Sequence, residues 1–426
     1  MPNPAAPDLD EEGWFPGHRP PGARQPSPGT LVLMLAWALG ACAVAPPSPL
    51  PGPHRQPMAA PVIAQMPLAD TLRAILDRAV LDSAFPGAIV VVGSHAGNLA
   101  TVAAGRLDWN EATVPDEHTL WDLASLTKVV GTTSAMMRLV GEGRVELDAP
   151  VQRYLPRWTV TGAERVTIRH LLLHTSGLRA HRPLYTETSD AAGARALVYA
   201  TPLDTVPGAR TLYSDLGIIL LGDVIESITA EPLDVYLRRS VFAPLGMYET
   251  MFLPPPELLP RIAPTEVDPW RGRHVRGEVH DENAFRLGGI APHAGLFSTA
   301  HDLARFARMY LNNGMLDSAR VLDSAMIALF TRAADRSFST RALGWDTPDG
   351  RNSAGALMSD RAFGHSGFTG TSLWIDPSAD VFVLLLTNRV NPSRANMRIA
   401  AVRRAVADAA MAIVRGFPPP PPPSRP

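Results

Sequence analysis

Ser125 and Lys128 stand three positions apart in Ser125-Leu126-Thr127-Lys128, at the head of an apolar segment. Helical spacing puts both side chains on one face, so the hydroxyl and the amine can share a hydrogen bond. An amine held there can take the hydroxyl proton and turn serine into a nucleophile. The chain carries 39 basic residues, of which 38 are arginine and one, Lys128, is lysine. Guanidinium stays protonated at any accessible pH, whereas a desolvated ammonium can release its proton and act as a base. Leu123, Leu126, Val129, Val130, Met136, Met137 and Val140 surround the pair in sequence and should be buried. Such a setting favours the neutral amine. Taken alone, the four residues also fit a surface lysine that follows a serine by accident.

Two further groups lie downstream, Tyr213-Ser214-Asp215 and His365-Ser366-Gly367. The three elements in this order resemble the serine β-lactamase and penicillin-binding protein superfamily, with its Ser-x-x-Lys, Tyr-x-Asn or Ser-x-Asn, and Lys-Thr-Gly elements. The tyrosine version is similar to the branch holding class C β-lactamases, D-aminopeptidases and related esterases. Leu171-Leu172-Leu173-His174-Thr175-Ser176-Gly177-Leu178 and Gly364-His365-Ser366-Gly367-Phe368-Thr369-Gly370 also match that branch. The resemblance implies that Ser125 forms an acyl-enzyme, that Lys128 takes up or polarises its proton, and that Tyr213 passes a proton to the leaving group. It places Asp215, His365, Ser366, Gly367 and Phe368 against the substrate. The backbone N–H groups of Ser125 and Phe368 would stabilise the oxyanion, and Gly367 would let the strand approach the substrate closely.

Two positions depart from the family pattern. Asp215 stands where asparagine is usual, and an ionised carboxylate accepts hydrogen bonds without donating any. It can orient Lys128 at the cost of favouring the ammonium form. Alternatively, Asp215 or Ser214 caps a helix over 216–228. His365 stands where lysine is usual, so a partly protonated imidazole is expected to supply the charge for a substrate carboxylate. That would make carboxylate-bearing substrates turn over better toward about pH 6 and potent β-lactamase activity weak.

The elements that must position these residues read as α+β. Helical spacing at Leu68, Leu72, Ile75, Leu76, Ala79 and Val80 precedes strands at Ala88–Val92 and Leu99–Ala104. Near the other end, strands at Thr371–Ile375 and Val381–Thr387 flank a turn, and a helix carries Ile399, Val402, Val406, Ala410 and Ile413. We therefore expect one antiparallel sheet built from both termini and flanked by helices, the β-lactamase/transpeptidase-like arrangement. A large, mainly helical insertion, roughly 109–355, would complete it, with the cleft between the two parts.

Composition sets the remaining bounds. Hydrophobic content of 46% with 19% charged residues fits a folded protein. A net charge of −2, with arginines scattered, gives no electrostatic case for a nucleic-acid partner. Cys42 is the single cysteine, so no internal disulfide forms. It follows a short apolar stretch, Thr30 to Ala41, and Leu39-Gly40-Ala41-Cys42 resembles a bacterial lipobox. The expected organisation is an export signal over 1–42 with lipid attached at Cys42, a Pro-rich linker over 43–61, the hydrolase domain over 62–415 and a disordered Pro-rich tail over 416–426. A plain secretory signal with an incidental cysteine is the alternative. His170 and His174 are four apart, but no carboxylate completes a zinc motif, so neither metal nor cofactor is expected. The expected function is an exported serine hydrolase, periplasmic or at the cell surface and tethered to a membrane. Its substrates would be peptidoglycan-derived D-amino-acid peptides or small esters. A true β-lactamase and a penicillin-binding sensor that never turns over remain as rivals.

Overall fold

The computed structural model describes residues 68–417. The expected export signal with Cys42, the expected linker, residues 62–67 and the tail from 418 lie outside the described residues. Five strands form one antiparallel sheet. In chain order they are β1 (Gly87–Gly93), β2 (Asn98–Gly105), β3 (Phe363–Ser366), β4 (Ser372–Asp376) and β5 (Val381–Thr387). Their spatial order is β2-β1-β5-β4-β3, so strands from early and late in the described residues meet where β1 pairs β5, Val90 opposite Leu385.

Both faces of the sheet are covered, which is why β1 and β5 are continuous apolar runs instead of alternating ones. On one face Val90, Val92, Val383 and Leu385 pack with Leu72 and Leu76 of α1 (Leu68–Leu81) and Val406 and Ala410 of Ile399–Val414, the last helix. On the other, Ile89, Val91, Leu384 and Leu386 join the larger core with Val129, Val130 and Met136. Each such side chain contributes roughly 1.5–3 kcal/mol by leaving water. The nucleophile segment is thus anchored in the same core as the sheet.

The intervening residues hold helices, including α2 (Ser134–Gly141), α3 (Asp215–Thr229) and α4 (Ala300–Leu311), together with three two-stranded sheets. The last helix, Ile399–Val414, is α5. Among the described residues, no helix is long and apolar enough to cross a membrane.

Candidate active site

Three segments converge on Ser125. The first is its own turn. Ala124 has φ +44°, a left-handed conformation that costs a non-glycine residue about 1 kcal/mol. Asp122 holds it there, its Oδ1 accepting the Ala124 N–H at 2.8 Å. Tight turns follow, with Thr127 N bonded to Ala124 O and Lys128 N to Ser125 O, each at 3.0 Å. The chain then widens into a π-helical turn, Lys128–Thr133, before α2 begins. Such turns concentrate at functional sites because the extra residue re-aims its neighbours.

Lys128 is 1% exposed and its Nζ donates to Ser125 Oγ at 2.8 Å and to His293 O at 3.0 Å. It also meets Asp215 Oδ1 at 2.8 Å. These acceptors match the hydrogens of an ammonium. To act as a base, the amine must shed one of them, and the Asp215 carboxylate can receive it.

The second segment enters α3. Ser214 caps this helix, its Oγ accepting the Gly217 N–H at 3.3 Å. Of the two capping alternatives the structure selects Ser214, leaving the Asp215 side chain to face Lys128. Tyr213 lies beside the amine, with Nζ 4.9 Å from the ring centroid. His174 packs against the same ring at 4.6 Å between centroids. His170 is remote from this role, its Nδ1 accepting the Thr167 N–H as part of a helix cap.

The third segment is β3 and the turn after it, carrying His365, Ser366, Gly367 and Phe368. Pairing of Leu373 with His365 fixes the register. A Cβ on Gly367 would lie 2.3 Å from Leu123 O, so the glycine is required by the approach of the nucleophile turn itself. Side chains clamp this turn from outside. Arg403 donates to Gly367 O and Thr371 O at 2.6 and 2.8 Å, Arg389 to Phe368 O at 2.7 Å, and Thr369 to Asp122 O at 2.7 Å. His280 stacks on the Phe368 ring, and its backbone N–H reaches Asp122 Oδ2 at 2.6 Å.

The expectation for His365 is corrected. Its ring is buried, and burial, reinforced by Arg341 and Lys128, pushes its pKa well below the usual value. It therefore carries no partial charge near neutrality. A permanent positive charge does lie beside it: the Arg341 guanidinium is 5.1 Å from the Tyr213 ring centroid and 3.5 Å from His365 Nε2. Asp346 Oδ1, at 3.6 Å, anchors it from behind.

Sequence reasoning missed Arg341, Asp122 and the 292–296 segment that supplies the His293 carbonyl. Asp122 had a weak signal, an acid three positions before the serine in an apolar stretch. Arg341 had none among so many arginines.

Comparison with known proteins agrees with this architecture. The family model described as Beta-lactamase matches residues 68–407. A Salmonella typhi protein with the provisional name D-alanyl-D-alanine carboxypeptidase is 33% identical over 313 residues, covering 66% of this chain and 72% of that protein. Among solved structures, EstCE1, a hydrolase with promiscuous acyltransferase activity, superposes with a TM-score of 0.65 at 23% identity, covering 80% of this chain and 98% of that one. A penicillin-binding protein homologue from Caulobacter crescentus gives a TM-score of 0.66 at 20% identity, with 81% and 98% covered. With the family model matched across residues 68–407, the chain belongs to the Beta-lactamase family of serine hydrolases.

Proposed function

We propose that this protein is a serine hydrolase that cleaves amides or esters ending in a free carboxylate, through an acyl-enzyme on Ser125. The observation that carries this reading is the buried amine 2.8 Å from Ser125 Oγ, with Arg341 and Tyr213 at the same site. Ser125 Oγ attacks the substrate carbonyl as its proton passes to Lys128 Nζ, which has first given one ammonium proton to the Asp215 carboxylate 2.8 Å away. The oxyanion forms against the backbone N–H groups of Ser125 and Phe368. Tyr213, whose ring lies beside both Lys128 and Arg341, gives its phenolic proton to the departing amine or alkoxide and takes back the serine proton from Lys128. Water then hydrolyses the ester. A terminal carboxylate pairs with Arg341, which suits a D-alanyl-D-alanine end and agrees with the provisional name of the Salmonella relative.

Incubation with a fluorescent penicillin or a fluorophosphonate, followed by mass spectrometry, tests the nucleophile. We expect the adduct on the peptide containing Ser125, and release of D-alanine from a D-alanyl-D-alanine-terminated peptide. A persistent adduct without release would favour the sensor, and rapid nitrocefin turnover a true β-lactamase. We further propose export, with lipid on Cys42, on the strength of the apolar stretch that ends there. Loss of radiolabelled palmitate from Cys42→Ala, with wild-type protein labelled, is the expected outcome.

A further inference from the structure

His174 has a backbone φ of +56°, in the left-handed region that side chains other than glycine enter at a cost. It is 2% exposed. Its carbonyl accepts the Leu212 N–H at 2.8 Å, and its ring Nδ1 accepts the Ser214 N–H at 3.1 Å. Leu212 and Ser214 are the residues on either side of Tyr213. The imidazole itself packs on the Tyr213 ring, 4.6 Å between centroids and tilted by 37°. One strained residue therefore grips both neighbours of the tyrosine and its ring.

An Nδ1 that accepts a hydrogen bond fixes the neutral tautomer with the hydrogen on Nε2. Burial, with Arg341, Lys128 and His365 nearby, disfavours a second proton, so the acceptor persists. A histidine present only to fill space would need neither the acceptor nor the left-handed backbone.

We propose that His174 is a positioning residue for Tyr213, a two-point clamp whose carbonyl and Nδ1 set the tyrosine for proton transfer. The inference rests on the relay role proposed for Tyr213. Asparagine can imitate the clamp, because it tolerates positive φ and carries an acceptor near the Nδ1 position. Leucine keeps the volume and loses the acceptor. Glutamine sends its amide past the Ser214 N–H.

The test measures kcat, KM and melting temperature for Tyr213→Phe, His174→Leu, His174→Gln, His174→Asn and the double variant His174→Leu/Tyr213→Phe, with a D-alanyl-D-alanine-terminated peptide. Tyr213→Phe should lower kcat by roughly a hundredfold. His174→Leu and His174→Gln should each lower kcat by roughly tenfold or more with little change in KM. His174→Asn should recover most of that loss, and the double variant should be no slower than Tyr213→Phe. Wild-type kcat in His174→Leu or His174→Gln overturns the clamp, as does a double variant in which the two losses multiply. Should His174→Leu fail to fold, His174→Gln set against His174→Asn still decides. Wild-type kcat in Tyr213→Phe would instead remove the tyrosine relay, a separate result.

Discussion

Arg341 lies 3.5 Å from His365 Nε2, a permanent guanidinium beside an imidazole that burial first, and Arg341 second, hold neutral. Removing that guanidinium separates recognition from chemistry. Arg341→Gln should raise KM for a D-alanyl-D-alanine-terminated peptide by roughly ten- to a hundredfold, the size of a lost charge-assisted pair. A small neutral ester should be hydrolysed within about threefold of wild type. Equal losses on both substrates would detach Arg341 from carboxylate binding.

Because the charge is permanent, binding of a carboxylate substrate should not strengthen as pH falls from about 8 to about 6. KM measured across that range should be flat. A KM that drops several-fold toward the acid end would restore the charge to His365.

Stability should still depend on pH. His174 and His365 both have pKa values held well below the usual 6.5, chiefly by burial. The unfolded chain therefore binds protons that the folded one refuses as pH falls through about 6.5. Stability contributed by the neutral rings is present above that pH and declines below it, by up to about 1.4 kcal/mol per histidine for each further pH unit. Melting temperatures between about pH 7.5 and 5 should fall, and less steeply in His365→Gln.

Lys128→Arg keeps a cation and forbids proton loss at any working pH. We expect kcat to fall by roughly a hundredfold or more. Circular dichroism distinguishes this from misfolding, with Lys128→Met as a companion of smaller volume. Substantial turnover in the arginine variant would remove the amine as base.

Asp122 accepts backbone N–H groups from Ala124 and His280, and its own carbonyl accepts from Thr369. Asp122→Asn points an amide N–H at one of those donors. The expected cost is about 1–3 kcal/mol of stability, read as a lower urea midpoint, with slower labelling of Ser125. An unchanged midpoint would show that the carboxylate is not what holds the turn.

The contrast between Lys128 and Arg341 shows what could be read in the chain. Three-residue spacing is a local relation, and a helix turns it into contact whatever the tertiary packing, so Ser125 and Lys128 were legible as a pair. The strands β1 and β5 were legible because a sheet buried on both faces demands uninterrupted apolar runs. Arg341 reaches β3 from 24 residues upstream through a loop without periodicity, and its type is shared with 37 others. The state of His365 was misread because burial, not residue type, decides it. Asp122 works through backbone amides, which leave no mark on the side chains they come from.

Lys128, the sole lysine of the chain, is 1% exposed. A protease that cuts only after lysine therefore has a single target, locked inside the folded molecule. Digestion by such an enzyme can proceed only through molecules that have opened their catalytic centre, so its rate becomes a clock for that opening. A tightly bound inhibitor at Ser125 should slow the clock, and no label or engineered site is needed to hear it tick.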